Sequence, residues 1–209
     1  MNPSFIRVSS LLAGLALAGF ALTQAIRTRA EEAPPPPGHE AHAGPAAANP
    51  AQAPDPKPES FIALDPAAAK TVNLVLISAY NDVNYGMNFN GFCKGRAKYV
   101  IPQGWTVSVV FTNNSPVPHS AIVVERAMAK RVQLGDPAFE GASTPMPLRG
   151  TTGKKGVAFR FVAGEAGDYA IACGFPAHSA NGHWIALEVS ATATAPSLQF
   201  ADQAAYVPK

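Results

Sequence analysis

Four side chains able to bind a transition metal follow one pattern late in the chain. Cys173, His178 and His183 lie on a single short stretch, with four residues between each and the next. A further histidine, His119, stands upstream in Pro116-Val-Pro-His119-Ser120. One soft thiolate and two imidazoles in a trigonal arrangement, with a weaker fourth ligand, form the donor set of copper electron-transfer sites. These four residues are therefore candidate ligands of a single copper ion.

Two other interpretations of the same residues remain open. The four side chains could hold zinc tetrahedrally, although structural zinc sites more often pair their cysteines and only one cysteine belongs to this pattern. The residues could also be grouped by chance and hold no metal. Against chance, the chain has five histidines and two cysteines, and four of these seven fall into this spacing. Copper is the favoured prediction.

The second cysteine, Cys93, raises a competing interpretation. In an exported protein, two cysteines ordinarily predict a disulfide, here between Cys93 and Cys173. That disulfide would remove the thiolate from the copper site, so the two interpretations exclude each other. The copper pattern favours Cys93 as a free thiol, either buried or at a contact surface.

The N-terminus has the composition of a targeting segment. An uncharged stretch at 8–26 follows Arg7, which is typical of a secretory signal. The stretch is also close to the ~20 residues that span a bilayer. Two arginines follow at once, and no clear cleavage site stands out. For residues 1–29 we therefore favour an uncleaved membrane anchor over a cleaved signal peptide; either one exports the rest of the chain to the periplasm.

The segments flanking the predicted domain have little apolar bulk. Residues 30–59 are mostly Ala, Pro, Gly and charge, which predicts a disordered Pro/Ala-rich linker of semi-rigid polyproline character. His39 and His42 lie in this linker, where a solvated tether is favoured over an accessory metal site. Residues 191–209 are interpreted as a C-terminal tail.

Residues 60–190 carry the pattern of an all-β domain. Short β-rich segments recur, several alternate with period two, and Gly, Pro and Asn clusters separate them, which predicts a β-sandwich. The segment 127–149 lacks this pattern and predicts a long excursion with a short helix at its start. The predicted strands cover 72–77, 97–101, 105–112, 120–125, 156–162, 167–173 and 183–189. The net charge of only +2 gives no indication of nucleic acid as a partner.

The chain resembles a known family over most of residues 72–190. Asn88-Phe-Asn-Gly91 and Tyr99-Val-Ile-Pro-Gln-Gly-Trp105 are similar to sulfocyanins, the cupredoxins of acidophile respiratory chains. The metal-binding stretch is similar too, with its Cys-Gly-x-Pro-x-His opening at 173–178 and its Gly-His-Trp close at 182–184. Most cupredoxins carry Met where His183 stands. A histidine there resembles the green cupredoxin of acidophilic iron oxidisers, a membrane-attached partner of a cytochrome c oxidase.

The resemblance implies a cupredoxin Greek-key β-sandwich and a set of roles. His119, Cys173 and His178 would bind copper in the trigonal plane and His183 would be axial, while Ser120 would support the Cys173 sulfur. Met146, in Thr144-Pro-Met-Pro147, is the competing axial candidate. The loop residues Phe175 and Pro176 would give an apolar docking patch beside the exposed edge of the loop histidine.

The implied function is that of a carrier rather than an enzyme. Four protein groups are available to fill the site, whereas catalysis needs an open coordination position. We expect a periplasmic type 1 copper protein that moves single electrons between cytochrome c and a terminal oxidase. The alternatives are a copper storage or delivery module, and a cupredoxin with an open site for a small molecule such as nitric oxide.

Overall fold

The computed structural model describes residues 55–209, and nine β-strands account for most of the regular structure there. Three short 3-10 helices, Pro58–Ser60, Val83–Gly86 and Arg126–Met128, lie in the connections. Within 55–209 there is no α-helix. The strands are β1 (Ile62–Leu64), β2 (Thr71–Ser78), β3 (Ala97–Pro102), β4 (Thr106–Asn113), β5 (Ile122–Glu125), β6 (Val157–Val162), β7 (Gly167–Ala172), β8 (Trp184–Ser190) and β9 (Ser197–Phe200).

The strands form two sheets with crossed connections. The first sheet has the order β1-β2-β4-β6 and the second the order β5-β7-β8-β3-β9. Strands β2 and β4 pair in parallel although β3, which lies between them in the chain, belongs to the other sheet. Strands β3 and β8 are also parallel. The chain therefore crosses repeatedly between the two sheets, and the predicted Greek-key β-sandwich is confirmed.

The core lies between the two sheets and follows from the alternation in the sequence. On β4, Val107, Val109 and Phe111 are buried, whereas Val110 between them is exposed. Burying each such side chain contributes about 1.5–3 kcal/mol. From the second sheet, Tyr99 and Leu187 enter the same core and are fully buried. Packing between the buried faces of the strands therefore holds the two sheets together, and residues at the strand ends are free to serve other roles.

All seven strands predicted from the sequence are present, with ends displaced by two residues or fewer. The excursion at 127–149 also begins on a short helix, the 3-10 turn at Arg126–Met128.

The C-terminal boundary predicted at Ser190 is wrong. Strand β9 lies beyond it and pairs antiparallel with β3, with Leu198 and Phe200 buried in the core. Its alternation extends over only four residues, and burial needs the edge of β3, which is distant in sequence. The short strand β1 was not predicted either.

The predicted signal or anchor segment (1–29) and nearly all of the predicted linker (30–59) lie outside the described residues. Among residues 55–209, no helix has the length and apolar character needed to cross a membrane. The linker prediction covers 55–59, where a 3-10 helix begins at Pro58.

Candidate metal centre

The loop between β7 and β8 carries three of the four candidate ligands. Cys173 directly follows β7 and His183 directly precedes β8, and these two residues face each other across the hairpin, with the Cys173 amide donating to the His183 carbonyl at 2.9 Å. His178 lies halfway along the loop, and its carbonyl accepts the His183 amide at 3.0 Å. The antiparallel pairing of β7 with β8 therefore brings the two ends of the loop together and folds His178 over them.

His119 reaches the same place from a different part of the chain. It lies three residues before β5, which pairs antiparallel with β7 so that Ile122 is opposite Ala172. Two backbone hydrogen bonds with Thr151, at 3.1 and 2.7 Å, hold the backbone of His119. Gly150 lies so close that a Cβ there would stand 3.0 Å from both the amide nitrogen and the carbonyl oxygen of His119.

This contact predicts the effect of one substitution. Gly150→Ala should lower the free energy of unfolding by about 2–3 kcal/mol, because the backbone has φ +68° and the new methyl group would press on His119. Gly153→Ala is the matched control: it has φ +77°, but among the described residues nothing lies within 4 Å of its Cβ, so we expect a loss of about 1 kcal/mol. Urea unfolding of the metal-free variants measures both, and equal losses would contradict the contact.

The four candidate ligand atoms converge. The Nδ1 atoms of His119 and His178 are 3.1 Å apart, and the Cys173 Sγ lies 3.8 Å from the first and 3.5 Å from the second. A triangle with these sides has its centre about 2.0 Å from every corner, which is a metal–nitrogen bond length and slightly less than a metal–sulfur bond. Adding the His183 ring nitrogen, all four atoms lie within 4.8 Å of one another.

His183 offers a free lone pair to this group. Its ring is fully buried, and its Nδ1 has no hydrogen-bond partner within the described part of the chain. The other ring nitrogen, Nε2, lies 3.1 Å from the Asn88 carbonyl oxygen and 3.2 Å from the Ser78 hydroxyl. An unpartnered buried nitrogen costs free energy unless something binds it. The donors present therefore fit a type 1 copper site with four protein ligands.

The competing axial candidate, Met146, has an exposed side chain. It is 64 % exposed, and its sulfur lies 4.0 Å from the guanidinium of Arg149. Cys93 is a free, buried thiol and so is Cys173, so the disulfide interpretation fails. The structure brings together the four residues that the sequence singles out, and their individual roles as ligands stay a prediction.

Burial keeps the three imidazoles in the neutral state that a metal needs. It lowers the pKa of His119 to about 4, with the charge of His178 adding to the effect, and it lowers the pKa of His178 as well. Burial places the pKa of His183 well below its usual value. The imidazoles are therefore neutral at pH 7. Burial raises the pKa of the Cys173 thiol, while hydrogen bonds from Ser120 and the Phe175 backbone oppose it, so a metal must displace the thiol proton.

Ser120 lies beside the Cys173 sulfur, as the resemblance implies, and it also makes two shorter hydrogen bonds. Its hydroxyl donates to the Pro147 carbonyl at 2.8 Å and accepts the Gly174 amide at 2.8 Å, whereas the Cys173 sulfur is 3.9 Å away. A hydroxyl has one hydrogen, and the closer acceptor receives it. Ser120 therefore ties the ligand loop to the excursion at 127–149, in addition to its place beside the sulfur.

The excursion contacts the ligand loop at two further points. The Val132 carbonyl accepts the Ala177 amide at 2.6 Å, and the Ala129 carbonyl accepts the Ser179 hydroxyl at 2.6 Å. Both partners on the loop flank His178. Sequence reasoning missed this role, because no periodic pattern marks the excursion and the contacts join residues more than forty positions apart.

The two-sheet fold and the buried sulfur–nitrogen group together define a cupredoxin, the class of type 1 copper electron-transfer proteins. The model of the sulfocyanin (SoxE) domain matches residues 60–136 and 142–199. The chain therefore belongs to the sulfocyanin family, and the resemblance found in the sequence is confirmed. A sulfocyanin from Sulfolobus acidocaldarius is 32% identical over 137 residues, which are 61% of this chain and 67% of the relative.

Solved structures of similar fold include those of rusticyanin and auracyanin A. Rusticyanin from Thiobacillus ferrooxidans is 19% identical, with a TM-score of 0.39, over 59% of this chain and 84% of its own. Auracyanin A from Chloroflexus aurantiacus, described as a "blue" copper protein, is 21% identical, with a TM-score of 0.40, over 57% of this chain and 99% of its own. No residue role follows from likenesses this distant.

Proposed function

We propose that this protein carries single electrons in a respiratory chain, at one type 1 copper ion and outside the cytoplasm. The observation that supports this most is the burial pattern of the four donors. Cys173 and His183 are fully buried and His119 is 3 % exposed, whereas His178 is only partly buried. The group is closed to solvent except along one imidazole, which suits a centre that exchanges electrons and binds nothing else.

The donor set and its rigidity both support fast electron transfer. Copper, when bound, supplies a one-electron Cu(I)/Cu(II) couple. Soft thiolate suits the reduced ion and imidazole suits the oxidised ion, so a mixed set serves both. Backbone hydrogen bonds fix Cys173 to His183, His183 to His178, and Ala177 to Val132. Ligands held in this way move little between oxidation states, and little movement means a small barrier.

The partly exposed edge of His178 is the proposed place of electron exchange. The Phe175 ring lies 4.8 Å from the His178 ring, centroid to centroid, and Pro176 beside it is exposed. Val132, whose carbonyl binds the ligand loop, is 65 % exposed. An apolar surface around the exposed edge of the His178 ring allows a partner to dock closely without displacing charged side chains.

A carrier is favoured over the enzyme and delivery alternatives. Catalysis at copper needs an open coordination position, and here a fourth protein donor, His183, lies within 4.8 Å of the others, with its buried Nδ1 lacking a hydrogen-bond partner among the described residues. Delivery sites need exposed ligands that exchange readily, whereas Cys173, His119 and His183 are buried.

The proposed partners are a c-type cytochrome as donor and a terminal cytochrome c oxidase as acceptor, with the domain held near the inner membrane. The sequence supports the tether: residues 1–29 have the composition of a signal or anchor, and a Pro/Ala-rich stretch at 30–59 separates it from the domain. In this layout the copper domain would reach both partners from one attachment point.

Electron exchange with a reduced c-type cytochrome tests this function. We expect copper-loaded protein to be reduced rapidly by the cytochrome, and to be reoxidised by membranes that contain the oxidase. Pro176→Glu places a charge in the apolar surface and should slow reduction at least about tenfold, the scale of one lost docking contact, with the visible spectrum unchanged.

The matched control puts the same charge at the far end of the sandwich. Val162 is 53 % exposed and pairs with Thr106 at the start of β4, whereas the metal centre lies at the end where Ser78 pairs with Asn113. Val162→Glu should leave the rate unchanged. If Pro176→Glu and Val162→Glu are reduced by the cytochrome at equal rates, the docking surface lies elsewhere. If the wild type exchanges electrons with neither partner, the proposed function is contradicted.

A further inference from the structure

We propose that the segment Asn88-Phe-Asn-Gly91 positions the axial ligand: it fixes which nitrogen of His183 faces the metal and holds the ring in that orientation. This inference rests on the proposed function in one respect, that His183 is a copper ligand. The segment is part of what relates the chain to sulfocyanins, yet none of its side chains belongs to the convergent donor group.

The tautomer of His183 follows from one contact. The Asn88 carbonyl oxygen lies 3.1 Å from Nε2 of His183 and, as a carbonyl, it can only accept a hydrogen bond. Nε2 must therefore carry the hydrogen, and the Ser78 hydroxyl oxygen at 3.2 Å is a second acceptor for it. Nδ1 is then the nitrogen with the free lone pair, and it is the buried atom left without a partner within residues 55–209.

Phe89 fixes the ring itself. Its ring centroid is 4.4 Å from that of His183, at 44° between the planes, and the side chain is fully buried. Phe111 of β4 packs edge-on against Phe89, with 6.4 Å between centroids. Rotation of the His183 ring would displace Phe89 into a filled core, which is unfavourable at native packing density.

The Asn88 side chain holds the carbonyl in place. The amide uses all four of its hydrogen-bonding positions on backbone of the surrounding loop. It donates to the carbonyls of Asn81 and Val83, both at 2.8 Å, and accepts the amides of Tyr80 and Gly91 at 3.2 and 3.1 Å. A fully satisfied buried amide of this kind specifies one loop conformation.

The loop needs these hydrogen bonds because its backbone is strained. Asn84 and Tyr85 are consecutive non-glycine residues in the left-handed region, with φ of +54° and +57°. Residues in this region cost on the order of 1–3 kcal/mol each and persist where the surroundings impose them. Asn90 ties the other side of the segment to β2, accepting the Ile77 amide at 2.7 Å and donating to the Val75 carbonyl at 2.9 Å.

As a consequence, only Nδ1 of the axial imidazole is available to bind the metal. A histidine ligand whose other ring nitrogen donates to a fixed carbonyl is held in one tautomer and becomes a stronger base. Asn88 is accordingly a positioning residue, acting through its backbone oxygen, and its side chain supports that oxygen. Sequence separation conceals the arrangement, because Asn88 and His183 are 95 residues apart.

Histidine-ring ¹⁵N NMR tests the tautomer directly, in metal-free and in Cu(I)-loaded protein. We expect His183 to carry its hydrogen on Nε2 in both states. A hydrogen on Nδ1 in the metal-free protein would overturn the inference. Because this first measurement needs no copper, its result is independent of the proposed function; that function fails instead if copper-loaded wild type lacks a thiolate-to-copper band.

Two isosteric substitutions test the role of the segment. Asn88→Asp removes the two donors and sets a carboxylate against the Asn81 and Val83 carbonyls, so the loop must move. We expect the population of the minor His183 tautomer to rise at least about tenfold, the scale of one lost hydrogen bond, and the thiolate-to-copper spectrum to shift. Asn113→Asp is the matched control: it removes two donors of the same kind, here to the Val117 and Thr151 carbonyls at 2.7 Å, from a buried asparagine at the end of β4, outside the segment.

If Asn88 had a purely structural role, the two variants would change the populations of the His183 tautomers equally. If Asn88→Asp and Asn113→Asp give the same tautomer populations, the inference is overturned. If Asn88→Asp does not fold, Ser78→Ala replaces it: with the second acceptor removed, the Asn88 carbonyl should still keep the hydrogen on Nε2, and a shift of the hydrogen to Nδ1 would overturn the inference.

Discussion

Cys173→Ser should abolish the visible charge-transfer absorption of the copper-loaded protein. The intense colour of a type 1 site comes from electron transfer within the copper–thiolate bond, and a serine hydroxyl provides no such bond. The substitution changes little else, because the side chain is fully buried and nearly isosteric. We expect the complete loss of the band and weaker binding of copper, with the two-sheet fold intact by circular dichroism.

Cys93→Ser is the matched control for this experiment. Cys93 is the other cysteine of the chain, and it is also buried and free, but it does not belong to the donor group. Its substitution should leave the absorption band unchanged. Strong visible absorption that survives in Cys173→Ser, or that disappears in Cys93→Ser, would show that the thiolate has been assigned to the wrong residue.

His183→Met should turn the protein bluer and raise its reduction potential. An imidazole nitrogen is a stronger donor than a thioether, so as the axial ligand His183 would draw copper towards itself, weaken the Cys173 bond and favour the oxidised ion. Replacing it should raise the potential by at least about 60 mV, which for one electron is a tenfold change in relative affinity for the two oxidation states. Absorption spectroscopy and voltammetry measure the two effects.

The same substitution should also lower stability. Without the Nε2–H donor, the Ser78 hydroxyl loses its buried partner, whereas the Asn88 carbonyl keeps the Ala79 amide as a donor. An unsatisfied buried acceptor costs about 1–3 kcal/mol. Met146→Leu is the control for the ligand assignment, because Met146 is the rival candidate; it should change neither colour nor potential. If His183→Met leaves both unchanged and Met146→Leu does not, the axial ligand is Met146.

Much of the site could be predicted from the sequence because its signal is local. The spacing of Cys173, His178 and His183 places three donors on one loop, and the β-rich segments on both sides indicate a hairpin. The alternation of Val107, Val109 and Phe111 similarly gives the buried face of β4. In each case, neighbouring residues contain enough information to determine the local structure.

What the sequence did not reveal depends on contacts between distant residues. Strand β9 becomes part of the sheet only because the edge of β3 is there to pair with it. The contact of Ser78 with His183 joins residues 105 positions apart, and it requires the final register of β2 in the sandwich. The resemblance implies that Ser120 supports the Cys173 sulfur, but it does not reveal the shorter hydrogen bond to the Pro147 carbonyl. Such competition among partners is decided by the fold.

The absorption spectrum of the wild-type protein during titration with Cu(II) tests the central claim most directly. His119, Cys173, His178 and His183 converge in a way that fits one copper ion. We therefore expect an intense thiolate-to-copper band that grows linearly, stops at one equivalent, disappears on reduction and returns on oxidation. A titration that yields only the weak absorption of copper bound by nitrogen and oxygen, or no saturation at one equivalent, would contradict a type 1 copper centre in this protein.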